Sequence, residues 1–357
     1  MTMRPHGKAE PVHGPAGQRD PRYVRMILGC YPPGWRERYG EEFAVLLTDL
    51  VDGSPWPAKM RLLADAVGGG VAARRRHNRG AAIRGQVRGP VTRTIRAGKA
   101  LLGQRFIYPL YISRLRGQLA GGTLPRHVGI IMDGNRRWAR QQGLASPSLG
   151  HKYGAEHIEE MLDWCKRAGI GHVTLFMCSA ENLAHRDSDE VAFLMRVIEE
   201  LVADRLARHP TWQVHIAGDL DMLPDSTARA LKQAVEVSRD CTTGRHVTLA
   251  VGYGGRQEVI EAFRSLLYEH AERGTTLLEL ADTITTGDIA RHLYTAGQPD
   301  PDLVIRTSGE QRLSNFLLWQ SAYSELYFCE AYWPAFREVD FLRALRSFAA
   351  RHRRYGR

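Results

Sequence analysis

The clearest regularity along the chain begins after Pro125, where short apolar, β-branched runs alternate with longer stretches of helical period. Residues 127–132, 172–177, 212–217, 246–251 and 303–306 have strand length. Residues 154–167, 190–208, 226–238, 256–272 and 339–353 carry apolar positions three and four apart. Apolar strands separated by helices predict parallel βαβ units with helices on both faces of one sheet. Ligands of such sheets bind beyond the carboxyl ends of the strands. Upstream the pattern is thinner. Residues 1–21 are Pro- and Gly-rich and read as a disordered tail. Residues 22–73 read as a small helical module, in which Phe43, Leu46, Leu47 and Leu50 share one face and Met60, Leu62, Leu63 and Val67 mark a second short helix. Residues 74–99 form a basic linker, and 100–357 the main domain. Apolar residues recur among Arg and Lys from 91 to 119, which fits an amphipathic helix packed on the main domain or lying on a membrane.

Charge sharpens this division. The chain of 357 residues carries +10, but residues 1–120 hold 21 basic and 8 acidic side chains, whereas residues 121–357 hold 28 and 31. From Ala66 to Met132 there is no Asp or Glu and there are thirteen Arg or Lys. Such an arm suits an anionic partner, with a membrane surface expected before nucleic acid, because no aromatic residue lies between Arg74 and Lys99 to stack on bases. The cysteines, Cys30, Cys165, Cys178, Cys241 and Cys329, are odd in number and form no C-x-x-C pair, as in a reducing cytoplasm. No apolar run is long enough to span a bilayer. A cytoplasmic protein touching a membrane from within is the expectation.

Three of the strand ends carry chemistry. The first opens into Asp133-Gly134-Asn135-Arg136-Arg137-Trp138, a carboxylate, a flexible glycine, an amide and two guanidinium groups suited to a diphosphate and a metal ion. Taken alone, D-G-N is also a common turn. The second is followed by Ser179-Ala180-Glu181-Asn182-Leu183, which reads equally as a helix cap. The third carries Arg306 and opens into Ser308-Gly309-Glu310-Gln311-Arg312-Leu313-Ser314, suited to phosphate oxygens or else a surface arginine pair. Their coincidence at three strand ends favours a site. No Walker loop, dinucleotide fingerprint or G-x-S-x-G elbow occurs, and Gly254-Gly255 fits a tight turn opening a helix.

The strings HVGIIMDGNRRWAR, GHKYGAEHIEEMLDWC, SAENL, GYGGRQEVIEA, DPDLVIRTSGEQRLSNFLLWQSAYSELYF and WPAF, in this order, resemble the cis-prenyltransferase family, over roughly residues 107–357. The DGNRRWAR and SAENL forms, with Leu183 where long-chain members carry Trp, look most like its actinobacterial short-chain branch, which makes Z-configured farnesyl diphosphate. The resemblance implies an α/β fold with a central, mostly parallel six-stranded sheet, a hydrophobic prenyl tunnel and a homodimer. It implies condensation of isopentenyl diphosphate with an allylic diphosphate, dimethylallyl or geranyl, to a Z-prenyl diphosphate. By position, Asp133 would hold Mg²⁺. Gly134, Asn135, Arg136, Arg137, Trp138 and His151 would line the allylic diphosphate pocket. Ser179, Ala180, Glu181, Leu183 and Arg186 belong to the second motif, where Asn182 would help remove the proton from isopentenyl diphosphate. Arg306, Arg312, Leu313 and Ser314 would bind the second diphosphate, Glu325 would complete the metal site from this or a partner subunit, and Arg354-Tyr355-Gly356 resembles a tail that reaches across the dimer.

Several positions depart from the family pattern. No cation lies between Gly143 and His151, and Arg136 stands where many members have Gly, so Arg136 is expected to substitute. His185 replaces a usual arginine, with Arg186 one place further on, and Ala180 replaces a hydroxyl residue. Met161, Leu162 and Trp164, on the helix after His151, either stop the growing chain at about three isoprene units or serve ordinary packing. A longer polyprenyl product, an irregular or cyclised product, and a non-catalytic lipid-binding subunit stay open as alternatives.

Overall fold

The computed structural model describes residues 21–52, 55–82 and 107–351. The chain divides into two compact units, 1–111 and 112–357. Residues 1–20 of the expected tail, most of the linker and residues 354–356 lie outside the described residues.

The first unit contains helices α1 (Arg22–Leu28), α2 (Pro33–Asp52) and α3 (Trp56–Ala82), so that helix continues past the expected start of the linker at Arg74. Val24, Ile27, Ala44, Leu47, Val51, Leu62 and Ala66 are its buried apolar residues. Tyr31 stacks on Trp35 at 3.9 Å, and its hydroxyl donates to the Ala66 carbonyl.

Helix α4 (Ile107–Leu119) crosses the division, with Ile112, Leu115 and Leu119 buried and Arg116 paired to Glu338 at 2.5 Å. It is the packed alternative for the 91–119 segment that is observed over the described part. The second unit then builds one sheet from β1 (His127–Ile131), β2 (His172–Ser179), β3 (Gln213–Ala217), β4 (His246–Tyr253), β5 (Leu303–Arg306) and β6 (Glu325–Phe328). The spatial order is β3-β4-β2-β1-β5-β6, and every pair is parallel. All residues of β1 and β5 are buried, as strands covered on both faces must be. The covering helices include α5 (Asn135–Gln141), α6 (Leu149–Arg167), α7 (Ala180–His185) and α8 (Ser188–Val197), the last running on through a π-helical turn, Ile198–Ala203.

This order places the site. After β1 the chain turns to β2 on one side, and later returns to β5 on the other. The three strands that carry the motifs, β2, β1 and β5, are therefore adjacent, with Ile131 opposite Phe176 and Arg306. That reversal is where open α/β sheets bind ligands.

Candidate active site

Beyond these three strand ends lies a cavity of about 1090 Å³. Its lining includes the arginines Arg136, Arg137, Arg140, Arg186, Arg306 and Arg312, the carboxylates Asp133, Glu181, Asp187, Glu190 and Glu310, and an apolar wall of Ile131, Phe176, Met177 and Cys178.

Asp133 is held at its centre. Its backbone N–H donates to Thr307 Oγ1 at 2.9 Å, and that hydroxyl donates back to the Asp133 carbonyl at 2.8 Å, locking the end of β1 to the end of β5. Gly134 follows with φ 97°, and a Cβ there would lie 2.5 Å from the Tyr332 ring, so glycine is required both by conformation and by space. The carboxylate accepts from Arg306 Nη2 at 2.8 Å and lies 3.3 Å from Arg137 Nη2. Burial pushes its pKa up, but the hydrogen bond and charge of Arg306, with Ser308 and Arg137, outweigh burial and hold it below the usual carboxylate range. Asp133 is therefore ionised at neutral pH.

Arg306 is 4% exposed, and its Nη1 also donates to Ser314 Oγ at 2.7 Å and to the Arg312 carbonyl at 2.6 Å. The loop it organises is strained: Ser308, Ser314, Asn315 and Leu317 all have positive φ without being glycine. Arg137 donates to Ser308 Oγ at 2.7 Å and pairs with Glu310 at 3.1 Å, and Arg312 pairs with Glu310 at 2.5 Å. On the other wall Glu190 gathers Arg136 at 2.7 Å, Arg186 at 3.4 Å and His151 at 3.5 Å. Burial, then the charge of Arg186, keeps His151 well below its ordinary pKa despite Glu190, so its ring is neutral. Ser179 caps α7 by accepting from the Asn182 N–H, and Glu181 accepts from Asn315 Nδ2 at 2.7 Å.

The cavity thus brings together Asp133, Gly134, Asn135, Arg136, Arg137, His151, Ser179, Glu181, Asn182, Arg186, Arg306, Arg312 and Ser314, and it includes both His185 and Arg186 of the shifted arginine motif. Trp138, Ala180, Leu183, Leu313 and Glu325 are not in its lining. Trp138 packs on Tyr153 at 5.1 Å, and Leu313 packs against the core cluster around Phe316. Glu325 begins β6 opposite Leu303, three positions before Arg306, and pairs with Arg351. Within one chain it sits toward the opposite end of the strands from Asp133. Of the two alternatives for Met161, Leu162 and Trp164, ordinary packing is what the structure shows: all three are buried, none lines the cavity, and Trp164 packs on His157, Phe336 and Phe341. The apolar wall comes instead from the end of β2. The cation-free segment after Gly143 supplies Ser146, Pro147 and Ser148 to a smaller cavity of about 380 Å³, which Arg136 and Glu190 also line.

The family model for undecaprenyl diphosphate synthase, a prenyltransferase family, matches residues 131–356. The chain belongs to this prenyltransferase family. Over 251 residues it is 71% identical to an isoprenyl transferase of Streptomyces fradiae, covering 70% of this chain and 97% of the relative. It is 52% identical over 252 residues to the (2Z,6E)-farnesyl diphosphate synthase of Mycolicibacterium smegmatis, covering 70% of this chain and 95% of that protein. A crystal structure of lavandulyl diphosphate synthase from Lavandula x intermedia in complex with dimethylallyl diphosphate shares 36% identity at a TM-score of 0.60, over 66% of this chain and 99% of the other. The six-stranded sheet is the fold expected from the resemblance, with all six strands parallel rather than most.

Proposed function

We propose that the chain is a short-chain Z-prenyl diphosphate synthase, which condenses isopentenyl diphosphate with a dimethylallyl or geranyl allylic diphosphate to give a product such as Z,E-farnesyl diphosphate. The observation that carries this reading is the ionised Asp133 fixed between Arg137 and Arg306, beside an apolar wall in the same cavity. The relatives it matches at about half identity include a (2Z,6E)-farnesyl diphosphate synthase, which supports the short product.

Among the described residues no group of three or more His, Cys, Asp or Glu side chains forms a metal cage. The half-buried Asp133 carboxylate at the arginine-lined cavity instead suits Mg²⁺, which is commonly held by one or two carboxylates together with substrate phosphates. Asp133 would hold the ion, with Glu325 of a second copy as the further expected ligand. When bound, Mg²⁺ neutralises charge on the leaving diphosphate.

The protein groups do the rest. In the reaction, the allylic C1–O bond breaks, C4 of isopentenyl diphosphate bonds to C1, and a proton leaves C2. Arg136, Arg137 and the Gly134 and Asn135 amides meet the allylic diphosphate, while Arg306, Arg312 and Ser314 meet the other. Each arginine that meets a diphosphate already has a carboxylate or hydroxyl partner, so a diphosphate replaces existing contacts rather than filling a bare cationic surface. The Ile131, Phe176, Met177 and Cys178 wall shields the allylic carbons from water. Asn182, an amide and a poor base, holds the leaving proton's path while the departing diphosphate accepts it.

A homodimer accompanies this reading, as the family resemblance implies. The basic arm is read as contacting an anionic membrane, consistent with thirteen cations and no acid between Ala66 and Met132. No helix among the described residues is long and apolar enough to cross a membrane. Incubation with Mg²⁺, isopentenyl diphosphate and allylic diphosphates of one, two and three isoprene units, followed by product chromatography, tests the activity. Products of ten or more units would contradict the chain length, and irregular or cyclic products the coupling.

A further inference from the structure

Helix α3 buries Leu62, Asp65, Ala66 and Gly70 on one side, where Gly70 approaches so closely that a Cβ would lie 2.6 Å from Cys30 Cβ. Its other side is not covered by any of the described residues. Trp56, Met60, Ala64, Val67 and Val71 recur at steps of four, four, three and four, which at 3.6 residues per turn places them on one stripe. Trp56 is 72% exposed, Met60 48%, Val67 40% and Val71 41%. A single exposed apolar side chain needs no explanation, but a continuous row about 22 Å long does.

Among the described side chains of α3 itself, the exposed charge has one sign. Asp65 is the one acid in α3 and is 4% exposed, whereas Lys59, Arg61 and Arg74 lie at the surface or half-buried. A second copy of the same helix would bring like charges together, which disfavours self-pairing through this face. A surface that is apolar within and anionic at its rim complements it.

We propose that α3 lies in the plane of an anionic membrane, with Trp56, Met60, Val67 and Val71 inserted at the headgroup–acyl boundary and Lys59, Arg61 and Arg74 on lipid phosphates. Interfacial helices bind by this combination of apolar area and cationic flank, and an amphipathic Trp suits that depth. The proposal rests on the reading that the basic arm meets an anionic surface, and it assigns the contact to a helix face rather than to charge alone. The attachment would hold the catalytic unit where an apolar product is delivered.

The test uses the full chain and the triple variant Trp56→Gln/Met60→Gln/Val67→Gln, in which all replaced side chains are exposed and glutamine keeps helix propensity. Co-sedimentation is measured with vesicles of phosphatidylglycerol and phosphatidylcholine, and of phosphatidylcholine alone, at low and high salt. The wild type is expected to bind the anionic vesicles, and the triple variant at least about tenfold more weakly, its residual binding abolished by salt. Equal binding by both proteins would overturn the helix-face proposal and leave the charge-based reading intact. No binding by the wild type would overturn both. A drop in oligomeric mass of the vesicle-free variant would make the stripe an interface between copies and also overturn the proposal. If the triple variant does not fold, Trp56→Gln alone serves: quenching of tryptophan emission by brominated lipid is expected to fall, and unchanged quenching overturns the insertion.

Discussion

Replacing Arg306 perturbs the candidate site at its most buried cation. In Arg306→Ala, Asp133 loses the 2.8 Å hydrogen bond and retains Arg137 at 3.3 Å, while Ser314 Oγ and the Arg312 carbonyl each lose a donor. Breaking a buried pair costs about 3–5 kcal/mol. Because the Asp133 side chain is 29% exposed and keeps a second cation, about 2–3 kcal/mol is the appropriate scale for stability. The pKa consequence has a definite sign. Arg306 depresses the folded pKa of Asp133, which contributes stability above the ordinary value of 3.8 and loses it as pH falls through the depressed value. Without Arg306 that contribution shrinks and the pKa rises, so the acid limb of activity moves to higher pH. Turnover itself is expected to fall about 10²–10³-fold, the scale of losing one preorganised donor at a developing negative charge. The assays are urea denaturation, and steady-state rate against pH with isopentenyl and geranyl diphosphates. Arg306→Lys keeps the charge but not the two-nitrogen fork, and is expected to restore stability more than turnover. Turnover within twofold of wild type and an unmoved acid limb in Arg306→Ala would refute the reasoning.

Three further outcomes are expected. Gly134→Ala, which meets both a φ of 97° and the Tyr332 ring at 2.5 Å, is expected to destabilise by roughly 2 kcal/mol or more and to abolish turnover, measured by thermal melting and rate. At the other end of the sheet His127, His172, His246 and His215 form a row across β1, β2, β4 and β3, with His172 stacked on His246 at 4.8 Å and His215 hydrogen-bonded to His246 at 3.0 Å. Burial first, and then the neighbouring histidines and Arg126, pushes His172 down to about 4, so stability present above pH 6.5 is lost as pH falls toward 4; a His172→Gln variant is expected to show a shallower decline in denaturation midpoint over that range. Chelation of divalent metal by EDTA is expected to stop turnover with little change in melting temperature, since no protein-only metal cage is found among the described residues.

Five strands of the sheet were legible because each is a short segment rich in β-branched or apolar residues between helical stretches; β1 and β5 are buried throughout, whereas β3, Gln-Val-His-Ile-Ala at one edge, is largely half-buried. A sixth strand was implied only by the family resemblance, with no place in the chain, and the structure puts it at Glu325–Phe328. It is four residues long, opens with a charge and lies half-buried at the sheet edge, so it has neither the length nor the pattern of a core strand. The arginine-rich strand ends were legible for a similar reason, being local clusters of one chemistry. Their carboxylate partners were not. Glu190 meets Arg136 across 54 positions and Glu310 meets Arg137 across 173, distances over which only the strand order decides proximity. Even Arg186, four positions before Glu190, lies in extended backbone ahead of α8, so no helical spacing announced that pair. Met161, Leu162 and Trp164 show the opposite failure: large apolar residues on the helix after His151 fit either a tunnel wall or the core, and the helix turns Trp164 toward Phe336 and Phe341.

The proposed reaction joins isopentenyl diphosphate to a short allylic diphosphate and forms a new Z double bond. Its most direct measurement is the structure of the product that purified protein makes from isopentenyl and geranyl diphosphates with Mg²⁺, read by chromatography and nuclear magnetic resonance after removal of the diphosphate. The expected product is a fifteen-carbon alcohol, about three isoprene units long, whose newest double bond is Z. An E double bond, a chain of ten or more units, or no condensation under conditions where the protein is folded would contradict it.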